Sequence, residues 1–336
     1  MAKTLSLARA EFIAAAVAAF LFAAPICPAA TKVRLAQPTI AVMYAPLYFG
    51  AKQGIFTSEG LELEFMTMRT DLAIAALGAG EVDYIAHGGA ALRAAAQGFP
   101  LKLVFALDHK TPFWLAARAE LKNVAQLKGK KIGISFPADT PHIILKRFLR
   151  QHGIDPDRDV SYVAGQFSPI ALQSLLGGAL DAAVLAPPFN VLAEEKGLNL
   201  LTHLGQSVPD ATVSNGIVTS DQKIKSRPDE VKRMVRASLK ALYAYRQDKL
   251  GAVAFLASHF EISAKTAAKV YPNAIDILTS DGQISEEKLR QILDMMQDTG
   301  RKEPSSIRPN ELLDFSFLHA ARKEIASAAG GAKRLQ

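Results

Sequence analysis

From Val33 onward, short apolar runs alternate with stretches whose apolar residues recur at three- and four-residue spacing. VRLAQ opens the series, followed by a helix near Pro46 to Gln53, LELEFM, a helix from Asp71 to Ala79, DYIAHG, a helix from Ala90 to Gln97, and LKLVFAL. After Trp114 the alternation repeats: KIGIS, a helix from Pro141 to His152, VSYVA, a helix from Pro169 to Leu176, DAAVLA, a helix from Phe189 to Lys196, and LNLLTHL. Strands separated by helices predict an α/β fold with mainly parallel sheets covered by helices on both faces, because a parallel pair needs a long crossover. Gly54 and Gly153 each follow a helical run, where a residue at positive φ closes the last turn with least strain.

One echo goes beyond periodicity. Gly80-Glu81-Val82-Asp83 ends a helix on glycine and starts a strand after an aspartate, and Gly178-Ala179-Leu180-Asp181 does the same 98 residues later. A generic helix-to-strand turn would use the same residues, but the repeat at this offset favours two lobes built as variants of one unit. From Lys225 onward helices take over. Ser226 and Pro228 open PDEVKRMVRASLKALYAYRQ, whose Val231, Met234, Val235, Leu239 and Leu242 form one apolar stripe, and further helices start at Ser263 and Ser285. Such stripes need cover, and packing back on the first lobe supplies it.

Composition narrows the class. The chain has 336 residues, 49% hydrophobic and 21% charged, which excludes a disordered, collagen-like or disulfide-stapled protein. The net charge of +7 is spread in short groups such as Lys130-Lys131 and Arg322-Lys323, so nucleic acid is not an expected partner. Cys27 is the single cysteine, which leaves no internal disulfide and no cysteine-rich metal site. No HExxH spacing, Gly-x-Ser-x-Gly elbow or phosphate loop is present, and neither a metal nor a cofactor is expected.

The first residues read as an address. Lys3 and Arg9 precede an uncharged apolar run of 15 residues from Phe12 to Ile26, and small residues follow, which is the plan of a secretory signal peptide. The run is shorter than the ~20 residues that span a hydrocarbon core. Residues 1–29 are therefore expected to be removed after Ala29, leaving 307 residues for the periplasm. A lipid anchor at Cys27 is the lesser alternative, because Ile26 sits where a lipoprotein cleavage site wants a small residue.

The stretch Tyr44-Ala45-Pro46-Leu47-Tyr48-Phe49-Gly50-Ala51-Lys52-Gln53-Gly54-Ile55-Phe56, followed by Glu59-Gly60-Leu61-Glu62-Leu63-Glu64, resembles the opening of the substrate-binding proteins of ABC importers for nitrate, sulfonates, taurine and thiamine precursors. Ala76-Leu77-x-x-Gly80-Glu81-Val82-Asp83, Leu127-Lys128-Gly129-Lys130-Lys131-Ile132-Gly133 and Asp229-Glu230-Val231 extend the resemblance over nearly all of the chain after residue 29. The resemblance implies a two-lobed type II periplasmic binding fold. Residues 30–112 and 217–336 would form lobe I, with the helical tail on it, and residues 113–216 lobe II. The chain would cross near Thr111 to Trp114 and return near Val213 to Val218. It also implies a monomeric, non-catalytic protein that captures a small anionic or planar organic solute between its lobes and delivers it to ABC permease subunits. Two alternatives share the fold: a thiamine-pyrimidine-synthase-like enzyme, whose cysteine-rich motif has no counterpart here, and a periplasmic sensor that hands its loaded form to a receptor.

Ligands of open α/β sheets sit beyond the carboxyl ends of the strands, where helix N-termini gather. Those ends give the candidates. Arg69 offers an anionic group two parallel hydrogen bonds, with Thr70 beside it. His87 is followed by Gly88 and Gly89, which let backbone approach a ligand. In the second lobe Thr140 is the expected contact and Asp139 the expected helix cap. Tyr44, Trp114, Phe167 and Phe189 are candidate flat walls, and Asn215 lies at the return crossing. The competing roles are a solvated arginine for Arg69, a structural histidine for His87 and core packing for each aromatic residue.

Overall fold

The computed structural model describes residues 30–208, 215–290 and 308–332; the expected signal peptide, residues 1–29, lies outside them, as do Val213 and Ser214 of the expected return crossing. Ten strands are present among the described residues: β1 (Thr31–Gln37), β2 (Leu61–Thr67), β3 (Tyr84–Ile85), β4 (Leu101–Ala106), β5 (Trp114–Ala117), β6 (Lys131–Gly133), β7 (Ser161–Val163), β8 (Ala182–Leu185), β9 (Asn199–His203) and β10 (Gly216–Ser220). They form two five-stranded sheets, in the orders β2-β1-β3-β10-β4 and β7-β6-β8-β5-β9.

Each sheet contains one reversed strand. β10 runs antiparallel to both β3 and β4, while β5 runs antiparallel to β8 and β9. Around them β1 and β3 pair in parallel, as do β6 with β7 and β6 with β8. The reversed strands are the first that the chain forms on passing from one sheet to the other: β5 follows β4, and β10 follows β9 and the short helix Leu204–Ser207. Neither stands out in the sequence, since WLAA and GIVTS are brief and show no alternation that separates a strand from a connection. The sheets are mixed, with helices on both faces: the described antiparallel pairs all involve β5 or β10, and the other described pairs are parallel, as expected.

The helix Ala45–Lys52 packs against the long helix Pro228–Gln247. Leu47, Phe49, Val231, Met234, Val235 and Leu242 are buried in one cluster with Leu35 and Val33 of β1, so the helical tail covers the first sheet as its apolar stripe requires. Gly50 is the point of closest approach. A Cβ there would lie 2.4 Å from the Ala241 Cβ and 3.1 Å from the Phe56 ring. Glu59, buried at the foot of this pair, accepts from Arg236 and Lys240, and Arg236 also holds Glu324 of the last helix, Ser316–Ala332. Burial alone would raise the Glu59 pKa, but the hydrogen bonds from the two cations outweigh it and hold the carboxyl below its ordinary value.

Two of the three expected serine starts are caps; Ser226 instead ends the helix Asp221–Ser226, and Arg227 stands at the N-cap of Pro228–Gln247 without a side-chain bond. Ser263 accepts from the Thr266 N–H at 3.0 Å to open the helix Ala264–Ile277, and Ser285 accepts from the Lys288 N–H at 3.2 Å. Gly54 and Gly153 have φ of 72° and 70°. Two alanine substitutions separate close packing from open surface. Gly50→Ala is expected to cost about 1–3 kcal/mol in urea unfolding, because the added methyl overpacks a helix crossing. Gly78→Ala, in the helix Thr70–Ala79 with nothing within 4 Å of its Cβ, is expected to be neutral or to stabilise by up to ~1 kcal/mol.

Candidate functional site

A cavity of about 490 Å³ lies between the two sheets' lobes, lined from both sides. Five helices start on its wall: Ala45–Lys52, Thr70–Ala79, Gly88–Ala96, Thr140–Gln151 and Ser168–Leu176, whose N-cap residues Tyr44, Arg69, His87, Asp139 and Phe167 all line it. Topology causes this convergence, because a parallel strand releases its chain at the carboxyl edge and the next helix begins there. Asp139 caps its helix as expected, its Oδ1 accepting from the His142 N–H at 3.0 Å. The other four N-caps form no side-chain cap bond. In three of them, at Arg69, His87 and Phe167, the first-turn N–H groups have no intrahelical acceptor, less the donor that Pro169 removes, whereas Ala45–Lys52 continues a 3-10 turn, Val42–Tyr44, and its Ala45 N–H donates to the Val42 carbonyl. Each terminus carries a partial charge of roughly +0.5, so the cavity is electropositive from backbone alone.

Seven of the ten expected side chains meet at this cavity: Tyr44, Arg69, Thr70, His87, Thr140, Phe167 and Asn215. Tyr44 donates to the Asn215 side-chain oxygen at 2.5 Å, and the Asn215 amide in turn donates to Asp108 Oδ2 at 2.5 Å. The Asn215 backbone N–H donates to the other oxygen of Asp108, which is fully buried. Burial first, then the neighbouring Tyr48 and Asp108, pushes the Tyr44 phenol well above its ordinary pKa, so its proton stays in place. On the adjacent wall Thr70 Oγ1 lies 2.9 Å from His87 Nδ1. His87 is 4% exposed and its Nε2 has no partner among the described residues. Burial pushes this imidazole down to about 4, which makes it neutral at physiological pH.

Arg69 does not present its fork as expected. Nε and Nη2 donate to the two carboxyl oxygens of Asp71 at 3.2 and 2.9 Å, on a side chain that is 60% exposed. Its guanidinium carbon lies 5.4 Å from the centre of the Phe136 ring, reaching across the cleft. Phe136 meets Phe167 edge to face at 5.1 Å, and these two rings form the apolar wall.

Three expected residues stand elsewhere. Trp114 stacks on His203 with centroids 4.0 Å apart and planes at 8°, and it is Phe113 that lines the cavity; successive side chains of an extended segment point to opposite faces. Phe189 packs against the cluster of Leu172, Leu175 and Leu185 behind the second sheet. Gly88 does admit a close backbone approach, but the neighbour is β10: a Cβ there would lie 3.0 Å from the Asn215 carbonyl carbon and the Gly216 nitrogen.

Sequence reasoning missed Arg93, Phe113 and Phe136, all of which line the cavity. Arg93 carried a signal, being the one cation in GGAALRAAA, a helix otherwise made of residues that pack. Among the described residues no group of three or more His, Cys, Asp or Glu side chains is arranged to hold a metal ion. No described helix is long and apolar enough to cross a membrane.

Known proteins match this architecture. The family described as NMT1/THI5 like matches residues 42–249, more than half of the chain. The riboflavin-binding protein RibY of Chloroflexus aurantiacus is 27% identical over 223 residues, which cover 64% of this chain and 62% of RibY. The curated relatives that the chain matches are aligned over 62–65% of their lengths. A ligand binding component of an ABC-type import system from Staphylococcus aureus superposes with a TM-score of 0.71 at 18% identity, covering 87% of this chain and 99% of that one. The desulfurization enzyme DSZB has a TM-score of 0.62 at 14% identity, with 87% and 99% covered. These structural likenesses establish the periplasmic-binding-protein fold.

The polar chain at the cavity wall sets a stability prediction. Asn215→Ala removes an N–H donor from the buried Asp108 carboxylate and the acceptor of Tyr44, and is expected to cost at least ~1–3 kcal/mol in chemical denaturation. A variant as stable as the parent would show that the network carries no net stabilisation.

Proposed function

The chain belongs to the NMT1/THI5-like family, and on that premise we propose that it is an extracytoplasmic solute-binding protein of an ABC-type importer. It captures a small planar or anionic organic solute between its lobes and passes it to permease subunits. The observation that carries this reading is the convergence of four helix N-termini without side-chain caps, contributed by both lobes, on one cavity. Binding is the chemistry that such an arrangement performs: it offers fixed donors and a positive field. A volume of about 490 Å³ falls within the ~300–1,000 Å³ of sites for small organic molecules, which is far more than an inorganic oxyanion fills. Phe113, Phe136 and Phe167 suit a flat body.

In this reading residues 30–112 and 217–336 form lobe I and residues 113–216 form lobe II. The lobes close on the solute because it touches both, so that its contacts are more numerous in the closed state. The protein acts as a monomer in the periplasm, to which residues 1–29 direct it. RibY and the ABC import component, both named as binding proteins, support capture over turnover.

The test combines identification with motion. Small molecules released by denaturing the purified protein are identified by mass spectrometry, and the stripped, refolded protein is titrated with them and with riboflavin, the ligand in RibY's name. Saturable binding with one site per chain and a fall in radius of gyration by small-angle scattering are expected. Conversion of the bound compound, or no binding by protein whose fold circular dichroism confirms, would overturn the reading.

A further inference from the structure

We propose that the solute carries a carboxylate, and that Arg93 of the first lobe and Thr140 of the second hold it between them. This inference rests on the solute-binding reading and names the chemical class of its ligand. Arg93 sits on the helix Gly88–Ala96 and lines the cavity, with Nη1 donating to Thr140 Oγ1 at 3.1 Å. Among the described residues no carboxylate lies within ion-pair distance of this guanidinium. Asp139, the acid nearest in sequence to Thr140, acts on Arg93 only from beyond contact, and its oxygens accept from the N–H groups of Phe136 and His142 and from the Ser135 hydroxyl. Burial lowers the Arg93 pKa, with Asp139 acting in the opposite direction, but a guanidinium starts so high that it remains charged. Arg93 is half-buried and hydrogen-bonded through Nη1 alone to a neutral acceptor, which leaves the guanidinium's other donors for an anion that enters the cavity.

The geometry selects the partner. A guanidinium presents planar parallel donors that match a carboxylate. The Thr140 hydroxyl accepts from Arg93, so its own proton is available to the same anion. One lobe thus supplies the charge and the other a hydroxyl, and an anion placed there binds the closed arrangement better than the open one. A second unspent polar atom stands in the same cavity, since His87 Nε2 is buried without a partner; it is available to a polar substituent on the solute's body. Arg69, the more obvious cation, is committed to Asp71 and exposed, and an exposed pair of that kind contributes little.

Stripped, refolded protein is titrated by calorimetry with matched planar aromatic pairs, each a carboxylate and its neutral carboxamide, and with riboflavin as an uncharged flat control. At least one carboxylate is expected to bind ~10- to 100-fold more tightly than its amide. Arg93→Gln abolishes that preference, and Thr140→Val reduces it without affecting the amide. Arg308→Gln, which breaks an exposed ion pair with Glu311 at a position that does not line the cavity, leaves it within about threefold. Thermal melting of each variant establishes that it is folded. Should Arg93→Gln fail this control, the proposal stands or falls on Thr140→Val. Amides that bind as tightly as their carboxylates, or a preference that disappears with Arg69 and survives in Arg93→Gln, would overturn the proposal. Binding of riboflavin with no binding of any carboxylate would overturn it too, while leaving the solute-binding reading intact. Silence toward every compound, released small molecules included, would remove both.

Discussion

A parallel strand has no choice about where it releases the chain, and that constraint organises this protein. β2, β3, β6 and β7 are each followed by a helix that begins on the same cavity. Because four of the converging N-termini lack side-chain caps, their donors and partial charges accumulate in one place instead of being satisfied locally. A helix that served only to pack would be better capped, since a cap is worth about 0.5–2 kcal/mol. The one capped member, Thr140–Gln151 with Asp139, shows what the others forgo. The site is in this sense a property of the topology, with side chains added to it.

The two lobes are joined unequally around that cavity. On one side Ala186 and Val191, which follow β8, are buried in one cluster with Leu35 and Leu47, the Val42 N–H reaches the Pro187 carbonyl at 3.4 Å, and Glu195 accepts from Thr266 and Lys269. On the other side the links are Arg93 to Thr140 and Arg69 over Phe136. The first set includes dry apolar packing, the second a neutral acceptor and an exposed cation–π contact worth ~0.5–1 kcal/mol. The contacts at the Arg93 edge are therefore the weaker of the two sets. Asp108 and Asn215 belong to the two segments that run between the sheets, and they are tied to one another there. Asn215 also lines the cavity.

How much of this could be read from sequence depended on what each residue was asked to reveal. Strands followed by amphipathic helices disclose their order, and the carboxyl-edge rule then locates Tyr44, Arg69, Thr70, His87, Thr140 and Phe167 without a structure, while Asn215 came from the crossing that the resemblance implied. What period and spacing do not carry is which way a short segment faces. Phe113 and Trp114 are adjacent aromatics, and a shift of one residue decides which meets solute and which stacks on His203. β5 and β10 were hidden for a related reason: each is a crossing that becomes a strand only because a sheet on the far side has an open position between two others.

Arg69 and Arg93 show the sharper limit. On a loop beside the expected site, an arginine looks available; within a helix of alanines, it looks incidental. Availability, however, depends on what else the charge touches. Asp71, two residues from Arg69, draws off its fork along the chain itself, whereas the helix Gly88–Ala96 carries no acid in its first turn to compete for Arg93. A half-buried cation on an otherwise apolar helix loses part of its hydration, a cost that an anionic partner offsets when it arrives. Such a cation facing a cleft is therefore a stronger indication of a bound anion than a more accessible one with a carboxylate beside it.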